Sequence, residues 1–226
     1  MNKRITSTDG IGMTSMRARK RLIEQLKQDS DVNPAVLEVM LTVPRHEFLE
    51  AGISSHAYEN SALPIGYGQT ISQPSTVALM TSKLIDKFPN GLKNVLEIGT
   101  GCGYQSAVIS AFCEQVISIE RVKQLHYAAR DRLYDLKYRN VKCIHADGFV
   151  GHADAAPYDG ILAAAVSEDV PEELIDQLVD GGRLVMPVRD HQSNEQNLII
   201  IDKTSSGIKH AKTTKVAFVP RVHGVG

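Results

Sequence analysis

Apolar residues first recur with a helical period after Ser15, where Leu22, Ile23 and Leu26 share one face. Arg17, Arg19, Lys20 and Arg21 fall on the other side and read as a solvated basic face. Residues 1–14 lack such a period and are interrupted by Gly10 and Gly12, so a flexible tail is expected there, with 15–226 as one domain. Asn33-Pro34 predicts the next helix start: the asparagine side chain can cap free amides, and proline's fixed φ suits the first turn. Val36, Leu37, Met40 and Leu41 form its apolar stripe, and Pro44 ends it. Periodicity then fails over residues 51–75, which are rich in Gly, Ser, Pro and Asn and read as a long irregular segment. Such segments in compact domains are usually functional or disordered. A helical pattern resumes over 77–88.

Beyond it, short apolar runs alternate with helical patterns. Strands are predicted at 94–98, 115–119, 141–145 and 158–164, with helices at 106–112, 122–136 and 172–178. This alternation implies an α/β fold with a mostly parallel sheet and helices on both faces. The last predicted strands, at 183–188, 197–202 and 214–218, have no long helices between them, so that edge should run antiparallel.

Composition narrows the function more than the fold. Lys and Arg total 25 against 26 for Asp and Glu, a formal charge of -1, which argues against a nucleic-acid-binding surface. Cys102, Cys113 and Cys143 are odd in number and include no Cys-x-x-Cys pair. Neither a disulfide framework nor a zinc knuckle is expected, and a reducing, cytoplasmic compartment is. The histidines show no paired ligand spacing, so no metal is expected. No apolar run reaches the roughly 18 residues that would suggest a membrane span, and no apolar signal core opens the chain.

The candidate chemistry lies at residues 95–104, Val-Leu-Glu-Ile-Gly-Thr-Gly-Cys-Gly-Tyr, where an apolar strand runs into a glycine turn and then a helix. In open parallel sheets ligands sit beyond such strand ends. A purely structural glycine turn is the bland alternative. The dinucleotide fingerprint would need a third glycine where Tyr104 stands, and a bulky residue there opposes a pyrophosphate site. Glu97, two positions before Gly99, suits the ammonium of an amino-acid cofactor better than a phosphate. These features favour S-adenosylmethionine over NAD. Glu120, 21 residues after Gly99 at the next strand end, suits ribose hydroxyls, and Asp147-Gly148 at the third strand end suits an adenine amino group. The bland readings are a surface glutamate paired with Arg121 or Lys123, and a plain Asp-Gly turn. Cys102 has no nearby histidine in sequence and reads as a small turn residue.

The blocks Val43-Pro44-Arg45-His46-Glu47-Phe48, Ala62-Leu63-Pro64-Ile65-Gly66, Gln69-Thr70-Ile71-Ser72-Gln73-Pro74, Leu96-Glu97-Ile98-Gly99-Thr100-Gly101 and Gly181-Gly182-Arg183-Leu184-Val185, with Phe218-Val219-Pro220, resemble the bacterial type of protein-L-isoaspartate O-methyltransferase. The likeness runs from about Arg17 to Val222. It departs at Cys102, where serine is usual, at Ala163 to Asp169, and at Arg221, where an apolar residue is common. It implies a Rossmann-like methyltransferase fold with a seven-stranded sheet and added N- and C-terminal elements. The implied donor is S-adenosylmethionine, leaving S-adenosylhomocysteine, and the implied acceptors are damaged proteins bearing isoaspartyl residues. Ser72 matches the family's active-site serine, and Thr70, Ile71 and Ser72 a segment against cofactor and substrate. Gly99, Thr100, Gly101, Cys102, Gly103, Glu120, Asp147 and Gly148 match cofactor positions. A monomer with neither nucleic-acid nor membrane partner is expected. Residues 62–74 and 218–223 are suited to wall an extended peptide. The rival functions are methylation of a small molecule or RNA, an NAD-linked oxidoreductase, and a non-catalytic binding module.

Overall fold

The structure is a computed structural model that describes residues 11–218 and 224–226. The expectations placed on residues 1–10 and 219–223, including Val219, Pro220 and Arg221, lie outside the described residues. Gly12–Thr14 form one tight helical turn leading into α1 (Met16–Leu26) and α2 (Pro34–Thr42), whose cap is Asn33 with its side chain accepting from the Ala35 amide. Next come a hairpin, β1 (Leu63–Gly66) and β2 (Gln69–Ile71), and helix α3 (Pro74–Ile85). The alternating part consists of β3 (Leu92–Ile98), α4 (Tyr104–Ile109), β4 (Cys113–Glu120), α5 (Lys123–Asp135), β5 (Val141–His145), β6 (Tyr158–Ala163), α6 (Glu172–Asp176), β7 (Leu178–Arg189), β8 (Gln196–Thr204) and β9 (Gly207–Val216).

Seven strands form one sheet in the order β5-β4-β3-β6-β7-β8-β9. Pairings from β5 to β7 are parallel, and β8 and β9 are antiparallel, as the spacing of the last predicted strands implies. Successive side chains on a strand point to opposite faces. Accordingly Val95 and Val116 enter one core with Leu22, Val36 and Val77, while Leu96, Ile98, Ile117 and Ile119 enter a second core with Leu174 and Met186. Chain order reverses on either side of β3, which has β4 on one flank and β6 on the other. Such a switch point opens a crevice at the carboxyl end of the sheet.

Two sequence expectations need correction. Residues 63–71 are a hairpin, not irregular chain. Its turn passes through Gly66, Tyr67 and Gly68 at φ of +87, +54 and +69, and Pro64 hides the strand period because it cannot donate to a ladder. Arg19, assigned to the solvated face, is buried: it lies over the Tyr58 ring and reaches the Thr42 carbonyl.

Candidate active site

A cleft of about 930 Å³, open to solvent, lies at the carboxyl ends of β3 and β4. Its floor is the turn after β3. The Gly99 and Thr100 amides both donate to the Ile119 carbonyl, at 2.8 and 3.1 Å, which folds the turn back across β4. Gly99 and Gly101 take φ of +94 and +53, conformations that a side chain disfavours. Glu120 closes the turn from below: its Oε2 accepts from the Gly101 amide and its Oε1 from the Val122 amide, both at 2.8 Å. At the end of β5, Asp147 Oδ1 accepts from the Phe149 amide at 2.9 Å and Oδ2 from the Gly224 amide at 2.6 Å. The chain's last described residues therefore lie beside this rim.

The opposite wall comes from far away in sequence. Thr70, Ile71 and Ser72, at the end of the hairpin, line the same cleft as Gly99, Thr100, Gly101, Cys102, Glu120, Asp147 and Gly148. An added Cβ on Gly101 would meet Ile65 of β1 at 3.3 Å, so hairpin and glycine turn are in close packing. Burial raises the Cys102 thiol pKa, which keeps it a protonated turn residue. Among the described residues no three His, Cys, Asp or Glu side chains gather as a metal cluster, and no helix is long and apolar enough to cross a membrane.

Two sequence-assigned residues stand outside the cleft. Gly103, at φ +91, caps α4, and its missing side chain makes room for Leu133, 3.0 Å from where a Cβ would stand. Glu97 is fully buried behind the glycine turn rather than in it. It lies on the inner face of β3, where Oε2 accepts from the Ser118 hydroxyl at 2.6 Å and from the Ser106 hydroxyl. Burial pushes its pKa up to about 7, partly opposed by the two serine hydroxyls and reinforced by Glu120. A pKa above the unfolded value of about 4.3 means that the folded state binds the extra proton. Stability from this site is complete below about pH 4 and lost as pH rises through 7, a change of about 4 kcal/mol. Glu97→Gln should flatten that part of the profile. Urea unfolding at pH 5 and pH 8 checks this, and an unchanged slope in the variant would exonerate Glu97.

Sequence reasoning passed over Gln69, Gln105, Arg121, Phe149 and Ala164, which also line the cleft. Phe149 had a signal, an aromatic directly after Asp147-Gly148. Ala164 had none, because its place depends on β6 lying beside β3.

A family model described as protein-L-isoaspartate(D-aspartate) O-methyltransferase matches residues 16–226. The chain belongs to this family. The protein-L-isoaspartate O-methyltransferase of Alcanivorax borkumensis is 46% identical over 216 residues, 96% of each chain. That of Methylibium petroleiphilum is 44% identical over 221 residues, 97% of this chain and 82% of the relative. A solved structure described as protein-L-isoaspartate O-methyltransferase superposes with a TM-score of 0.80 at 28% identity, over 92% of this chain and 67% of the other. A Plasmodium falciparum structure assigned to the same activity, in complex with S-adenosyl-L-homocysteine, gives 0.77 at 27% identity, over 90% and 98%. The fold of this chain is thus a Rossmann-like methyltransferase fold shared with protein-L-isoaspartate O-methyltransferases.

Proposed function

We propose that this protein transfers a methyl group from S-adenosylmethionine to the free α-carboxylate of L-isoaspartyl residues in damaged proteins and peptides. The carrying observation is the meeting of Thr70–Ser72 with the glycine turn in one cleft. A donor cleft alone would suit many methyltransferases; the added wall supplies an acceptor side.

The cleft fits the donor by shape and charge. Backbone at Gly99–Cys102 leaves room for close approach, Ile98, Ile119 and Phe149 offer apolar surface, and Glu120 and Asp147 place carboxylates near a cationic ligand. Only two of the roughly four lone-pair sites on Glu120 are used by the Gly101 and Val122 amides, so it can also accept from a hydroxyl. S-adenosylmethionine, when bound, supplies a methyl group on a positively charged sulfur.

The acceptor needs little activation. A carboxylate with a pKa near 4 is already ionised at pH 7, so no general base is required. The work of the chain is to orient the carboxylate and exclude water around it; good alignment can supply roughly 7–11 kcal/mol. Ser72, half-buried at the cleft wall, is cast as an orienting hydroxyl and not as a covalent nucleophile. The ester formed leaves more readily than the acid, so the neighbouring backbone nitrogen can close a succinimide whose hydrolysis restores some normal aspartate. Methylation is the only enzymatic step in this reading.

Labelled methyl transfer to an isoaspartyl peptide tests the proposal; the expected product is a base-labile ester. Modification of RNA or a small acid, with none of peptides, would replace it. Ser72→Ala should fold with an almost unchanged Tm, because a loop hydroxyl adds little to a core. Its kcat should fall about tenfold, on the order of one hydrogen bond to a charged group. A methyl- or acyl-serine trapped in the wild type would instead indicate a covalent path.

The protein acts as a monomer in this reading; light scattering at assay concentration checks it. All three cysteines are free, as a reducing cytoplasm would leave them. Activity that required an oxidised form would contradict this.

A further inference from the structure

The Val43–Phe48 block is conspicuous in the sequence yet has no part in the function argued so far. Arg45, which opens the turn Arg45–Phe48, heads the fully buried side chains by volume. It makes no ion pair among the described residues. Instead Nε donates to the Ala57 carbonyl at 2.9 Å, and Nη2 donates to the Ser72 carbonyl at 2.8 Å and to that of Ser61 at 3.5 Å. Nη1 has no hydrogen-bond partner, and the guanidinium lies 4.8 Å from the centre of the Tyr104 ring. Desolvation lowers its pKa, as expected for a buried cation.

Burying a cation without an anion is costly, and an apolar side chain of similar volume would fill the space more cheaply. What only a planar, five-donor guanidinium can do here is clamp separated carbonyls while stacking on an aromatic ring. The clamped points explain its value. Ser72 and Tyr104 line the cleft from segments more than thirty residues apart, and Arg45 touches both. It also ties Ser72 to the loop at Ala57 and Ser61, whose neighbour Asn60 accepts from the Ser75 amide at 2.9 Å. The acceptor-side wall is thereby held at a set distance from the glycine turn.

We propose that Arg45 is a positioning residue for methyl transfer, holding Ser72 against the donor cleft so that the acceptor carboxylate meets the methyl group in line. This rests on the methyltransferase reading above.

The test is a double-mutant cycle. Arg45→Lys keeps the charge but loses the fork, Arg45→Gln keeps polarity, and Arg45→Met keeps bulk without a buried charge. Each is made alone and with Ser72→Ala. Single-turnover rates are measured on an isoaspartyl peptide with saturating S-adenosylmethionine, and S-adenosylhomocysteine binding by calorimetry. Arg45→Lys should slow the chemical step about tenfold, the order expected for displacement by a fraction of an ångström, with the dissociation constant changed less than about threefold. In the Ser72→Ala background the same substitution should cost less than about threefold, because Arg45 acts through Ser72. A purely structural arginine would lower Tm and leave the rate per folded molecule alone. Multiplying losses, unchanged rates, or failure of all three variants to fold would each overturn the proposal; ratios are read from whichever variants fold. A wild type that methylates no peptide would fail the proposed function itself, a result distinct from any variant ratio, and the positioning role would fall with it.

Discussion

An isoaspartyl peptide should be methylated at least about a hundredfold faster than the aspartyl peptide of the same sequence. The isoaspartyl form carries its free α-carboxylate one methylene closer to the main chain than an aspartyl side chain does. Its main chain also runs through the side-chain carbonyl and is one carbon longer. The hairpin strands β1 and β2 form a separate two-stranded sheet, leaving an edge that can pair with an extended peptide. That hairpin ends at Ile71, beside Ser72, and Arg45 and Ile65 hold the surrounding wall to Tyr104 and Gly101. A rigid wall reads a shift of one bond length, and about 1 Å of misplacement can cost on the order of a hundredfold in rate. The difference should appear mainly in kcat, since both peptides can lay their backbones on the same edge. Paired peptides, assayed for kcat and KM, decide it. Equal methylation of the two would overturn the substrate assignment and leave the donor cleft untouched.

Glu120→Ala should weaken S-adenosylhomocysteine by about 1.5–3 kcal/mol, roughly a tenfold to hundredfold rise in dissociation constant. Two losses combine. The ribose would lose an acceptor, and the Gly101 and Val122 amides would lose the carboxylate that closes the turn. Glu120→Gln separates them: its single carbonyl oxygen can accept from one amide, while its NH2 cannot accept from the other. An intermediate loss is therefore expected. Calorimetry on all three proteins is the measurement, and an unchanged constant in the alanine variant would remove Glu120 from the site. S-adenosylhomocysteine should bind far more tightly than NAD throughout, because Tyr104, buried beneath Arg45, occupies the place of the third glycine that a pyrophosphate turn uses.

Most of the fold and the glycine-turn side of the cleft could be read from neighbouring residues. Apolar period, the Asn33 cap and the run from β3 into Gly99 are local signals, and they encode strands, helices and a left-handed turn without help from distant contacts. Because the strand ends are local too, Glu120 and Asp147 could be placed at the carboxyl rim from spacing alone. The opposite wall was visible only through resemblance, since nothing in the spacing of Thr70, Ile71 and Ser72 says which cleft they face.

Tertiary structure decided the rest. A parallel sheet is covered on both faces, so strand parity could not say whether Glu97 would face ligand or core. The serines at 106 and 118, brought together by α4 and β4, drew it inward. Gly103 lies outside the cleft, with Leu133 of α5 against it. Pro64 and three left-handed residues masked the hairpin, which pairing across the turn nonetheless forms. Arg45 carried no reading in sequence beyond the block it belongs to, and Arg19 read as a surface charge, because the cost of burying a cation is visible locally. The aromatic rings and carbonyls that offset it, Tyr58, Tyr104, Ala57 and Ser72, arrive only when the chain folds.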